Sequence, residues 1–284
     1  MKKTLIALAV AASAVSGMAH AWTNGNFNGT VGIGGSITAD DYRQKWSWAV
    51  GSDINGFSNT LTEMTENGTK LTITVSDNKP ILLGKTNEAF SAPVSGGVGA
   101  IPEISFTDYT GASVVLTNPA GELNKGHVYL ILPMKNADGT KIGSVKVNAS
   151  YAGVEAIGGN SGADGDLESL WATPGNIFYG GLATNVNGAE LQNGDDAAAR
   201  TALFGSLSLN DMLGQIQAVK PNITSLVSQK SSSDENMKYT DGTVVSAAYS
   251  LGIANGQTIE ATFDKPVTTT TQWSAPLNVA VTYN

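Results

Sequence analysis

The sequence predicts an all-β protein, an immunoglobulin-like sandwich that is one strand short and carries a helical insertion. Three observations predict it. Segments that alternate apolar and polar residues recur along the chain, separated by turn dipeptides such as Asn67-Gly68, Asp138-Gly139, Asp241-Gly242 and Asn255-Gly256. Charged residues make up only 14 % of the chain while glycine occurs 33 times, a balance that suits many short strands joined by tight turns. Amphipathic strands also stand at both ends of the chain once an N-terminal targeting segment is set aside.

That segment is residues 1–21. Met1-Lys2-Lys3 is a basic start, Thr4 to Val15 is an apolar core, and Ala19 and Ala21 are the small residues of a signal-peptidase site. Its apolar run is too short to span a bilayer. Cleavage after Ala21 leaves 14 basic against 24 acidic residues, a net charge of −10. Nucleic acid is therefore excluded as a partner, because a phosphate backbone needs the opposite sign. Cysteine is absent although an exported chain could form disulfides, so core burial must supply the stability.

The extension 22–38 comes next. Phe27, Gly29, Val31, Ile33, Gly35 and Ile37 fall on one face, with polar or small residues between them. Residues 39–284 form the main domain. Its strands are expected at Trp46–Val50, Lys70–Val75, Ile81–Leu83, Ile104–Phe106, Ser113–Leu116, Val128–Leu132 with Pro133 as a stop, and Ser144–Tyr151. An insertion at about 155–230 interrupts them with a glycine-rich loop, Gly158 to Gly162, and two helices. Asp195-Asp196 marks the N-terminus of the first, and Ser208 with Asp211 forms a capping box for the second, which Pro221 stops. Strands resume at Thr243–Tyr249 and Thr258–Phe263.

The last segment alternates strictly, with Trp273, Ala275, Leu277, Val279, Val281 and Tyr283 on one face. Pro276 places its start at a sheet edge. A terminal amphipathic strand with nothing after it leaves an apolar groove beside it, an aggregation hazard unless another strand fills it. An amphipathic extension at the other end is suited to fill the groove of a neighbour by strand addition.

No catalytic pattern competes with this reading. The segment after residue 21 has a single histidine, His127, and the chain lacks nucleophile-elbow, zinc and phosphate-loop motifs. Asp164, Asp166 and Glu168 alternate after glycines, but without the remaining ligands of a calcium loop they read as a solvated acidic loop. No enzyme activity, metal or cofactor is expected.

The chain resembles the FaeG-type major fimbrial subunits and adhesins of enterotoxigenic enterobacteria, and is similar to the ClpG-type subunits of a capsule-like surface antigen. Gly34 to Tyr42, Lys79 to Gly84, Leu132 to Ala137, Gly143 to Gly153 and Trp273 to Val281 carry the resemblance. Where many pilins have a glycine upstream of the C-terminal strand, this chain has Thr271. The resemblance implies an incomplete pilin sandwich completed by a donor strand. Phe27, Val31, Ile33 and Ile37 would enter the next subunit, and Leu277, Val279, Val281 and Tyr283 would form the edge held first by a periplasmic chaperone and then by that donor. Partners implied in this way are further copies of the chain, the chaperone, an outer-membrane usher, minor fimbrial subunits and a host glycoprotein or glycolipid. The implied route runs through the periplasm to a fimbria on the cell surface.

Sugar recognition needs an aromatic face beside polar groups. Trp171, Tyr179, Asn176 and Asn185, all inside the insertion, are the candidates, with Phe178 read as core. The alternative is a structural subunit of a capsule-like layer with little receptor binding of its own.

Overall fold

The computed structural model describes residues 34–36, 40–52, 54–93, 97–186, 188 and 190–283. The signal segment and the extension residues Phe27, Val31, Ile33 and Ile37 lie outside the described residues. The chain divides into residues 1–38 and 39–284, and the fold is that of the second unit.

Besides three short 3-10 turns, eleven strands and two α-helices are formed among the described residues. In chain order they are β1 (Trp46–Val50), β2 (Lys70–Thr74), β3 (Lys79–Thr86), β4 (Pro102–Asp108), β5 (His127–Lys135), β6 (Lys141–Gly158), β7 (Asp164–Leu170), α1 (Gly194–Phe204), α2 (Leu209–Val219), β8 (Ser225–Ser233), β9 (Val244–Ile253), β10 (Thr258–Phe263) and β11 (Leu277–Tyr283). The fold is all-β with a helical insertion.

The 18-residue β6 organises the large sheet. Its first half pairs with β5 and β10, and β10 with β2. Its second half pairs with β7 and β9, and β9 continues through β3 to β1. A two-stranded sheet, β4 with β11, faces this layer across the main core, where Ile104 and Phe106 meet Leu130, Val145, Val147 and Tyr249.

A second core lies on the other face of β6 and β9. There Ala152, Val154, Ala156 and Ala248 pack under Ala197 and Ala198 of α1 and Met212 and Ile216 of α2. Small residues on the sheet let the helices approach closely. At Gly252 an added Cβ would sit 2.4 Å from the Phe204 ring, so a larger residue would lift α1 off β9.

Four elements differ from the sequence reading. Pro133 does not stop β5, which continues to Lys135. The N–H groups of Tyr129 and Lys135 bond Thr117 and Ser274, away from β6, so by the period of two the Pro133 nitrogen also faces that side and interrupts no bond to β6. Ser113–Leu116 makes only isolated bridges. Asp164, Asp166 and Glu168 form no loop; they are the more exposed positions of β7, while Gly165, Leu167 and Ser169 are buried. The polar strand β8 lies parallel to β7, so the insertion contributes two strands as well as two helices.

Candidate functional site

β11 pairs with β4 along one edge, from Leu277 opposite Asp108 to Tyr283 opposite Pro102. Among the described residues no strand pairs with its other edge. Leu277, Val279, Val281 and Tyr283 are half-buried and alternate with exposed Asn278, Ala280 and Thr282, as the period of a strand over a core requires.

Beside this edge lies an apolar groove of about 890 Å³. Its floor is the core face of the large sheet, with Leu130 and Leu132 of β5, Val145 and Val147 of β6, and Ile259 of β10. Ile54 and Phe57 after β1, with Trp273, Leu277 and Val279, complete its walls. These walls pack against the main core, so the groove opens into the interior of the sandwich. An extended segment laid there would meet alternate apolar positions below and unpaired main-chain groups beside it.

The far end of β11 is fixed. The Trp48 indole N–H donates to the Tyr283 hydroxyl at 3.0 Å. Burial pushes the pKa of Tyr283 up, against the effect of the Trp48 hydrogen bond. Trp48 itself belongs to an aromatic cluster with Trp46, Phe178 and Tyr249, whose ring centroids lie 5.4 to 6.5 Å apart. The sequence reading names Tyr283 but misses Trp48. The two are 235 residues apart, and no local pattern connects them.

The receptor candidates fall in two places. Trp171 is half-buried just after β7, and its N–H donates to the Ser233 carbonyl at 2.9 Å. Asn176 is 7 % exposed, and its amide organises the backbone: Oδ1 accepts from the Thr173 N–H and hydroxyl, while Nδ2 donates to Asp234 at 3.0 Å. Tyr179 is half-buried and tied to β4, its carbonyl accepting from the Ile104 N–H at 2.8 Å. Asn185 is exposed in the following loop, its carbonyl accepting from Gly188. Phe178 is fully buried. Trp171 and Asn176 thus both flank the 233–235 backbone, whereas Tyr179 belongs to the β4 side. His127 Nδ1 and a Glu122 carboxylate oxygen lie 3.0 Å apart in a surface hydrogen bond.

The whole chain, residues 1–284, matches the family model described as "Fimbrial, major and minor subunit". The chain belongs to the K88 fimbrial subunit family. It is 71 % identical to K88 fimbrial protein AB and 69 % identical to K88 fimbrial protein AD, both of Escherichia coli, with all of each chain covered. The F41 fimbrial protein of Escherichia coli is a more distant relative, 29 % identical over the full length of both. As a K88-family member the chain is a structural subunit of a fimbria, exported and displayed on the cell surface, in a family that is structural rather than enzymatic.

Proposed function

We propose that this K88-family subunit polymerises by donor-strand exchange, with residues 22–38 of one copy lying along the free edge of β11 in the next. The observation that carries this reading is the pairing of that open edge with a groove floored by core residues. Phe27, Val31, Ile33 and Ile37 provide large apolar side chains at alternate positions, and Gly29 and Gly35 leave gaps between them. A periplasmic chaperone would cover the same edge before assembly, and an outer-membrane usher would exchange it for the donor and add minor subunits.

The experiment moves residues 22–38 from the N-terminus to a linker after residue 284. A cooperative, stable monomer is expected, because the strand then completes its own subunit. An aggregated product, beside a natural exported chain that is monomeric and stable alone, would overturn the reading.

The assembled fimbria would adhere to host intestinal glycoconjugates, with Trp171 as the strongest contact candidate. Its half-buried indole lies in the insertion, outside the proposed polymerisation groove. Asn176 has a structural role that explains its burial, so it is the weakest of the four. Trp171→Ala fimbriae of normal length should lose glycan and enterocyte binding. Unchanged binding would remove this site and favour a structural coat.

A further inference from the structure

Two carboxyl groups are buried together where the insertion returns to the sandwich. Glu155 of β6 is 1 % exposed and Glu235, just after β8, is 4 % exposed. Residues 233–239 form a strap over Glu155. It is fastened by the Ile177 N–H to the Glu235 carbonyl (2.8 Å), the Ala92 N–H to the Met237 carbonyl (2.7 Å) and the Tyr239 N–H to the Ala92 carbonyl (3.1 Å). Met237 is fully buried with φ +62°, so the strap turns sharply where it plugs into the core.

The hydrogen bonds of the two carboxyls are unequal. Glu235 accepts from the Tyr239 hydroxyl at 2.6 Å and from the Met237 N–H. Glu155 Oε1 accepts from the Ser233 hydroxyl at 2.9 Å, but its Oε2 is buried with no partner. Glu235 acts on Glu155 by charge and hydrogen bonding, and Glu168 of β7 and Tyr239 of the strap are also coupled to the pair. Among the described residues no lysine, arginine or histidine forms an ion pair with Glu155 or Glu235. Two carboxylates in this setting would leave a second negative charge uncompensated.

We infer that Glu155 is protonated, and that this proton is a pH-sensitive latch fastening the 233–239 strap to the sandwich. Glu155 Oε2 carries the proton, which gives the orphaned oxygen a role. Burial, and next the charge of Glu235, push Glu155 well above the ordinary carboxylate range. The sign follows from linkage. With its folded-state pKa raised, Glu155 contributes its full stability below the ordinary value of 4.5, and that contribution is lost as pH rises through the raised value. When the proton leaves to solvent, the like charges repel and the strap loosens, taking with it Ser233, to which the Trp171 backbone is bonded. The latch does not depend on any receptor role for Trp171.

The test uses intact fimbriae. Infrared spectroscopy at neutral pH, in a Glu190→Gln background because Glu190 is also buried with an unpartnered Oε2 and is raised by burial, should show a protonated-carboxyl carbonyl component that disappears when Glu155→Gln is added. Amide exchange of 233–239, corrected for intrinsic chemistry, should rise as pH passes upward through the raised value in the natural chain and stay flat in Glu155→Gln. If Glu155→Gln does not assemble, the Glu190→Gln chain decides, because the infrared component and strap protection must vanish together on alkalinisation. Absence of that component at neutral pH, or strap exchange that does not depend on it, would overturn the latch.

Discussion

Trp48 lies across β3 at Gly84, its register partner, and reaches from there to Tyr283. A Cβ at Gly84 would stand 2.4 Å from the Trp48 ring, so this glycine makes room for the indole that anchors the end of β11. Gly84→Ala should cost about 1–3 kcal/mol through overpacking and displace Trp48 from Tyr283. Chemical denaturation of the subunit carrying its own donor strand would measure this, and an unchanged midpoint would show that Trp48 is not tightly held. Phe178 illustrates a different balance. Its φ of +65° is the left-handed region, which costs an L-residue roughly 1–2 kcal/mol. Removing a buried phenylalanine costs about 3–5 kcal/mol, so burial against Trp46, Trp48 and Tyr249 outweighs the strain. Asn176 shows what a residue-level reading lacks. An asparagine near an aromatic reads as a ligand contact until its amide is seen bonded to Asp234, 58 residues away.

Elements whose signals are local were legible in the sequence. Ser208 caps α2 by accepting from the Asp211 N–H, and the Asp211 carboxylate accepts in return from the Ser208 N–H at 2.9 Å. Hydrogen bonds from Ser208 hold Asp211 below its ordinary value of 3.8, so its contribution is present at neutral pH and lost as pH falls through the lowered value. Ser208→Ala should destabilise the subunit by about 0.5–2 kcal/mol, with faster amide exchange concentrated in α2. Equal exchange in α2 of both proteins would show that packing of Met212 and Ile216 alone fixes the helix. β7 and β8 were not legible. Asp164, Asp166 and Glu168 look like a solvated loop because their alternation with Gly165, Leu167 and Ser169 acquires meaning only when β6 and β8 flank them. β8, Ser225–Ser233, is largely polar and its neighbour β7 lies some sixty residues earlier, so no period-two apolar pattern marks it. The alternation of Leu277, Val279, Val281 and Tyr283 was legible because it is local to one strand. The groove floor was not, since Leu130, Val145 and Ile259 come together only through the pairing of β5, β6 and β10.

At the scale of the whole molecule, the main domain and the proposed donor are parts of one stability balance. Three or four large apolar side chains entering the groove contribute roughly 1.5–3 kcal/mol each, against an association cost of about 4–15 kcal/mol when the strand comes from a separate molecule. Linking the strand to its own subunit removes most of that cost, so a free peptide must bind more weakly than a linked copy. A subunit lacking 22–38 should therefore aggregate slowly at its open edge, and a synthetic peptide of residues 27–37 should suppress this. The melting temperature should rise with peptide concentration, because the ligand binds only the folded state. Peptide with Ile33→Asp would have to bring a carboxylate to a groove floored by apolar residues, and it should give no shift at the same concentrations. Equal protection by both peptides would mean that main-chain pairing with β11 is enough and that the apolar floor does not select its strand. Protection by neither would mean that the groove is closed to 27–37 once the domain has folded, leaving donor-strand exchange to a more open, chaperone-held state.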